Sequence, residues 1–459
     1  MSPALEPSFA AIAAVMLALA ALALVAAPQG ARAGSDIAFD PPVPEEYSFT
    51  PPTDDGTATV DGKAYETVTA ALEAADEGDT VRLSGRFDER VTVTTPGLTL
   101  TSAAGARAMI DGGENGDVLT VEAPDVTLRR IWVHNSGRET ADNDAGVWIA
   151  GANATVLDSR LTAVTFGVWV DGVDDVLVKN NTVVGRESVT PLSYRGNGVQ
   201  LWRTTDTLVE GNRITDVRDG IYYSWASEVT GRANTMWDLR YGVHYMYSDD
   251  CSLLNNTAFD NDVGYALMVS QDLHLEENVA VNNSGSSGHG ILVKSIDDTV
   301  INDNALVRNG NGLFVFNSLN NTIAGNTVLE NDIGVHLSAG SVRERVHAND
   351  FVNNRQPVHA VVGQQVDWNG TRGGNFWSGA TTVDVDKDGV SEVRYKPAGL
   401  VEQLTAREPT ARVFASSPAF STIRLAESSL PVVEAPGVVD HHPLTRPGTR
   451  TWRRYYAGS

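Results

Sequence analysis

Cysteine, lysine and N-terminal positive charge are all scarce in this chain of 459 residues. The single cysteine, Cys251, excludes an intramolecular disulfide, and beside a turn it reads as a small hydrophobe. No cysteine follows the N-terminal apolar run, so a bacterial-type lipid anchor is not expected. Only Lys63, Lys179, Lys294, Lys387 and Lys396 are lysines; with the arginines they make 34 basic residues against 58 acidic ones, a net charge of 34 − 58 = −24. That balance argues against nonspecific nucleic-acid binding, which needs dense Lys and Arg contacts to phosphates. An acidic, lysine-poor surface suits a high-salt environment, where screening weakens self-repulsion; a GC-rich genome produces the same preference for arginine.

Long apolar runs are missing too, with one exception. Phe9 to Ala27 is almost unbroken Ala, Leu, Ile and Val, followed by Ala31-Arg32-Ala33 before Gly34, an A-x-A cleavage pattern. No Lys or Arg lies between Met1 and Phe9, and Glu6 is the only charge there. Residues 1–33 therefore read as an export signal, with an uncleaved single anchor as the alternative, since the run is nearly long enough to span a bilayer. Either way the protein is expected on the periplasmic or extracellular face of the cytoplasmic membrane. Residues 34–56, proline-rich between Asp40 and Pro52, read as an extended linker.

What is present is a repeat. A glycine opens an apolar run at Gly146, Gly167, Gly198, Gly220, Gly242, Gly264, Gly290, Gly312 and Gly334, at spacings of 21, 31, 22, 22, 22, 26, 22 and 22 residues. The two long spacings carry insertions, Arg186 to Asn197 and Ser284 to Gly288. A period near 22 with short β-branched strands is the signature of a solenoid. Fourteen residues after successive glycines stands an asparagine: Asn181, Asn212, Asn234, Asn256, Asn278, Asn304 and Asn326. Stacked at one turn position, such amides can bond one another along the axis. The fold class expected is all-β, a right-handed parallel β-helix over residues 57–378 with coils about 4.8 Å apart. Val68, Ala71, Leu72 and Ala75 recur at helical spacing within Ala64 to Asp79, predicting a helix that caps the first coil. Residues 379–459, where the period stops, are expected to run along the rod or cap its end, finishing in a basic tail of Arg446, Arg450, Arg453 and Arg454. That tail suits anionic headgroups or an acidic partner.

Alternation puts the first and third residues after each glycine inside and the second and fourth outside. The outward ladder carries Trp148, Trp169, Trp202, Tyr222, Phe314 and Phe316, which suggests a partner-docking surface unless an insertion or the C-terminal segment covers it. His244 and Met246 share that face, and Met268 lies one coil on from Met246. An imidazole and two thioethers make a soft set suited to Cu(I), while the bland reading of the methionines is adaptable packing. Asp384, Asp386, Asp388 and Glu392, around Gly389, resemble the first part of a calcium loop, although position twelve is Tyr395 rather than a bidentate Glu. Asp249-Asp250 and Gly288-His289-Gly290 raise the alternative of a carbohydrate-active enzyme or glycan binder, since glycoside hydrolysis needs two placed carboxyls. The bland reading is solvated turns, with the histidine in an insertion.

Arg240-Tyr241-Gly242-Val243-His244-Tyr245-Met246-Tyr247-Ser248-Asp249-Asp250, followed by Gly264-Tyr265-Ala266-Leu267-Met268, resembles the periplasmic NosD family. So do Gly374-Asn375-Phe376-Trp377-Ser378, Ser417-Pro418-Ala419 and Val439-Asp440. The sequence departs from the family pattern at Gly379-Ala380, where an Asp-Tyr pair is usual, and at Glu392, which replaces an Asp. The resemblance implies a non-catalytic maturation factor for nitrous oxide reductase. It implies work with an ABC transporter, made of an ATPase and a membrane subunit, and with a small copper chaperone. His244, Met246 and Met268 match the family motif and are the residues expected to contact copper.

Overall fold

The computed structural model describes residues 50–360, 366–371, 373–397, 401, 404, 408–414, 417–429 and 438–449. The export segment, most of the linker, and Arg450, Arg453 and Arg454 of the basic tail lie outside the described residues. Among the described residues, no helix is long and apolar enough to cross a membrane.

The chain winds into a parallel β-helix. Each coil gives one short strand to each of three sheets. One coil, for example, comprises Asp219–Ser224, Thr230–Arg232 and Thr235–Trp237, pairing in parallel with Tyr241–Met246, Ser252–Leu254 and Thr257–Phe259 of the next. The sheet that carries the coil glycines holds twelve strands, from Val91–Val93 to Gln356–Ala360.

The repeated glycines have a steric cause. A Cβ on Gly220, Gly242 or Gly264 would sit 2.4, 2.6 or 2.6 Å from the carbonyl oxygen of the glycine one coil later. Only a residue without a side chain lets successive coils close at that point. One and three residues on, side chains stack in the interior. Ile221, Val243, Tyr265, Ile291, Leu313 and Val335 form one in-register column, every member fully buried.

The seven asparagines stand in one line. Each amide Nδ2 donates to the Oδ1 of the asparagine one coil on, at 2.9–3.1 Å from Asn181 through Asn304 to Asn326, and the line continues through Asn349 to Asn375. The same Oδ1 also accepts a backbone N–H, as Asn278 does from Asn256, and each Nδ2 also donates to a strand carbonyl, as Asn256 does to Gly231. A buried amide is thereby fully satisfied, and leaving it unmade would cost about 1–3 kcal/mol per group. A second line runs five residues later through Asn261, Asn283, Asn309, Asn331 and Asn354. Its signal, asparagines spaced five apart in successive coils, is present in the sequence.

The cap helix is shorter than its periodicity suggests. It spans Val68–Glu73, with Thr67 as N-cap and Val68, Ala71 and Leu72 buried. Ala64 and Tyr65 instead belong to strand Lys63–Tyr65, which pairs antiparallel with Thr57–Val60. At the other end, Asp440 closes the last coil. It is fully buried and its carboxylate accepts from Trp377 Nε1 at 2.8 Å and Asn375 N at 2.7 Å. Asp350 likewise accepts from Gly448 N and Thr449 N.

Candidate functional site

His244 lies in strand Tyr241–Met246, paired with Tyr222 on the preceding coil and Ala266 on the next. The sequence reading placed it on an open surface, and the structure corrects this: His244 is only 7% exposed. Tyr222 stacks on its ring at 4.5 Å and Tyr241 meets the ring edge-on at 5.1 Å. Outward from the coil is therefore not the same as solvent-exposed, because aromatic neighbours along the sheet fill the space.

Behind His244 sits a charge network that sequence reasoning missed. Asp219, fully buried one coil earlier, contacts His244 Nδ1 at 3.1 Å and receives Arg240 Nε at 2.8 Å and Nη2 at 2.6 Å. Burial opposes ionisation of Asp219, but hydrogen bonds from His244 and Arg240 win and hold its carboxyl below the usual range. The ionised carboxylate can only accept, so Nδ1–H donates to Asp219 and Nε2 is the ring nitrogen left to present. Nε2 is itself buried, with no hydrogen-bond partner among the described residues. Carboxylate–imidazole pairs of this kind orient metal-ligating histidines and raise their basicity. The available signal was a carboxylate directly before a coil glycine, where the next coils carry Tyr241 and Val263.

Met246 and Met268 pair in register on adjacent coils, so their backbones lie about 4.8 Å apart. Both are half-buried, and Met268 packs beside Val263, Ala266 and Leu292. His244 and Met246, two residues apart on one strand, project from one face about 7 Å apart at the backbone. The fold thus gathers an imidazole and two thioethers on one face of neighbouring coils, with a carboxylate fixing the imidazole.

The expected docking aromatics divide. Phe316 is exposed, while Trp148, Trp202, Tyr222 and Phe314 are half-buried. Trp169 is buried, stacked on Trp148 at 5.0 Å and edge-on to Phe166 at 4.9 Å, and so is removed from any docking surface. A different ladder is open. Trp225, Tyr247 and Val269, 54%, 44% and 39% exposed, follow one another at the strand ends next to Met246 and Met268. All three hold left-handed backbone with φ of 52–56°, which is costly for bulky and β-branched residues. Beside them runs an acidic line of one exposed carboxylate per coil, Asp206, Glu228, Asp250, Asp272 and Asp298. Burial and the neighbouring charges of Asp250, Asp298 and Asp249 push the Asp272 carboxyl up. Such a line attracts cations to this side of the rod.

Asp384, Asp386 and Asp388 bring carboxylate oxygens within 4.8 Å of one another. Glu392, expected as a fourth ligand, is turned elsewhere: its oxygens accept from Val385 N at 3.0 and 3.2 Å and close the loop on itself. The hydrolase-like pieces do not meet. Asp250 N bonds Gln271 O at the end of strand Val263–Gln271, whereas His289 pairs with Val263 at its start, a separation on the order of 20 Å. His289 is no loop residue either, since it opens strand His289–Asp297, stacks on Phe314 at 4.8 Å, and is pushed down to about 4 by burial and His336. Cys251 is buried, its thiol pushed up to about 12 by burial and unsuited to metal capture at neutral pH.

Comparison with known proteins identifies the lineage. Residues 180–382 match the family model described as "Periplasmic copper-binding protein (NosD)". The chain is 38% identical over 391 residues to the "Probable ABC transporter binding protein NosD" of Pseudomonas aeruginosa, covering 82% of this chain and 90% of that one.

The chain belongs to the NosD family.

A protein of the same name from Stutzerimonas stutzeri is 35% identical over 380 residues, covering 79% of this chain and 86% of that one. Among solved structures the chain is similar to the periplasmic alginate epimerase AlgG, with 12% identity, a TM-score of 0.45, and coverage of 70% and 94%. It is also similar to the alginate lyase AlyF-OU02, with 16% identity, a TM-score of 0.48, and coverage of 65% and 80%. The stretch matched by the NosD model includes Asp219, Arg240, His244, Met246 and Met268.

Proposed function

We propose that this NosD-family chain is a non-catalytic assembly factor that handles copper for nitrous oxide reductase outside the cytoplasmic membrane. It receives Cu(I) from a small chaperone and works docked to an ABC transporter made of an ATPase and a membrane subunit. The observation that carries the reading is the buried, unpartnered Nε2 of His244, held by Asp219 on the strand that also bears Met246. Copper is the cargo here. Imidazole and thioether donors favour Cu(I) over hard cations, and neutral thioethers release it more readily than thiolates would. Asp219, itself held by Arg240, keeps the imidazole in one orientation, so the ring need not turn when the ion arrives. The acidic line raises the local concentration of cations, and the exposed Trp225–Tyr247–Val269 ladder offers a docking edge for the protein that brings or takes the ion. The carboxylate trio at Asp384, Asp386 and Asp388 is assigned to calcium, holding the loop beside the closing segment.

The test is a Cu(I) competition titration of wild type and Met246→Ala/Met268→Ala, combined with the copper content of the reductase in cells producing either form at equal levels. We expect weaker Cu(I) binding and an underloaded reductase in the double variant. Full loading would show that the methionines are only packing.

A further inference from the structure

On the coil that carries Met268, beyond the turn at Asp272, a second outer face sets a histidine, a carboxylate and an amide side by side. Strand His274–Glu276 pairs in parallel with Val300–Asn302 of the next coil. Leu275 is buried between His274 and Glu276, so those two project together from the outer face. Glu276 and Asn302 stand in register, with their backbones about 4.8 Å apart. The three side chains converge on one nitrogen. His274 Nε2 lies 3.4 Å from Glu276 Oε2 and 3.1 Å from Asn302 Oδ1. Asn302 Nδ2 donates to Asp303 Oδ2 at 3.4 Å, which aims the amide oxygen at the imidazole.

We propose that His274, Glu276 and Asn302 form a binding site for a zinc-class divalent cation. Zinc bonds to nitrogen and oxygen of about 2.0–2.2 Å, set at tetrahedral angles, separate neighbouring donors by about 3.4 Å. Separations of 3.4 and 3.1 Å fit such edges, so an ion enters between the donors with only small side-chain rotations. The donor set selects the ion. One imidazole and two oxygens, with no sulfur, suit Zn(II) and its divalent neighbours over Cu(I). Asp303 acts behind Asn302 as an orienting partner. The exposed carboxylates of Asp250, Asp272 and Asp298 line the adjoining corner and draw cations toward it. Three protein donors leave a fourth position open to water, unlike the closed four-ligand sites that serve structure alone. The inference is independent of the copper reading, since it uses none of its residues and takes a harder ion.

The experiment titrates the purified chain with Zn(II) by calorimetry in saturating calcium, which keeps the Asp384, Asp386 and Asp388 loop out of the readout. Co(II), added in place of zinc, reports tetrahedral coordination through its visible absorption. The variants are His274→Ala, Glu276→Gln and Asn302→Asp, each checked by its melting curve without added metal. The His274 and Glu276 side chains are 45% and 34% exposed, so the fold should be retained. Zinc affinity should fall at least about tenfold in His274→Ala and in Glu276→Gln. It should rise in Asn302→Asp, where a carboxylate replaces the amide oxygen. A Cu(I) titration of the same variants should match wild type, which keeps this site distinguishable from the one at His244. No Zn(II) binding by wild type, or an affinity unchanged in either His274→Ala or Glu276→Gln, overturns the proposal.

Discussion

Asp219 and His244 stand 25 residues apart in sequence and meet through a 3.1 Å contact because each coil sets its outer face against the last. The carboxylate is completely buried, and Arg240 accompanies it. A buried carboxylate with a bidentate guanidinium and an imidazole is a fixed support, and the imidazole's other nitrogen is what the support presents.

We predict that Asp219→Asn weakens Cu(I) binding by about 10–100-fold, the usual effect of losing the group that orients a ligating histidine. It should also destabilise the fold by about 1–3 kcal/mol, because the buried hydrogen bonds to Asp219 weaken while Arg240, 33% exposed, can turn to water. His244→Ala should lose copper affinity at least as severely while keeping the Asp219–Arg240 pair. Competition titration and urea unfolding on both variants separate the two effects. Unchanged affinity in Asp219→Asn would show that His244 needs no orientation.

Gly242→Ala should be among the most damaging small substitutions. The added methyl would meet Gly264 O on the next coil at 2.6 Å and the Ala258 Cβ across its own coil at 2.8 Å. Overpacking of this kind costs about 1–3 kcal/mol. Asn256→Ala, which breaks the amide line at its middle, should cost about as much, since buried partners on both sides lose their bonds. Denaturation midpoints measure both. Gly62→Ala, with open space around its Cβ position, should cost only about 1 kcal/mol, from its backbone conformation.

Glu344 makes stability depend on pH. It sits fully buried in line with Asn321, which donates to its Oε1 at 3.2 Å, and burial raises its pKa from 4.5 to about 7. An acid whose folded pKa lies above the unfolded one binds more protons when folded. Its contribution is therefore fully present below about pH 4.5 and is lost as pH rises through about 7. The gap corresponds to about 3 kcal/mol. Glu344→Gln should remove this slope and leave the protein more stable than wild type at pH 8, as read by urea unfolding at pH 5 and pH 8. Parallel slopes in the two proteins would refute the assignment.

Calcium should raise the melting temperature of wild type, because a ligand bound only by the folded state stabilises it by mass action. Asp386→Asn should abolish the increment, whereas Glu392→Gln should reduce it only indirectly, through the loop hydrogen bonds to Val385. Scanning calorimetry with calcium and with a chelator decides this, and a wild-type melt indifferent to calcium would remove the ion from the loop.

The amino-acid sequence by itself determined the coil. Gly220, Gly242 and Gly264 recur because no side chain fits between coils, Asn181 to Asn326 recur because a buried amide line must be unbroken, and inward alternation follows from strand geometry. Each is a one-dimensional pattern repeated at a fixed period, so it can be read without knowing what touches what. The tertiary structure alone decided which outward residues are reachable. Strand alternation sends His244, Trp169 and Trp225 all away from the interior or into turns, but only the stacking of Tyr222 and Tyr241, and of Trp148 and Phe166, buries the first two and leaves Trp225 open. The Asp219–His244 support and the turning of Glu392 away from Asp384, Asp386 and Asp388 belong to the same class. They depend on side-chain directions in three dimensions, which no period in the sequence encodes.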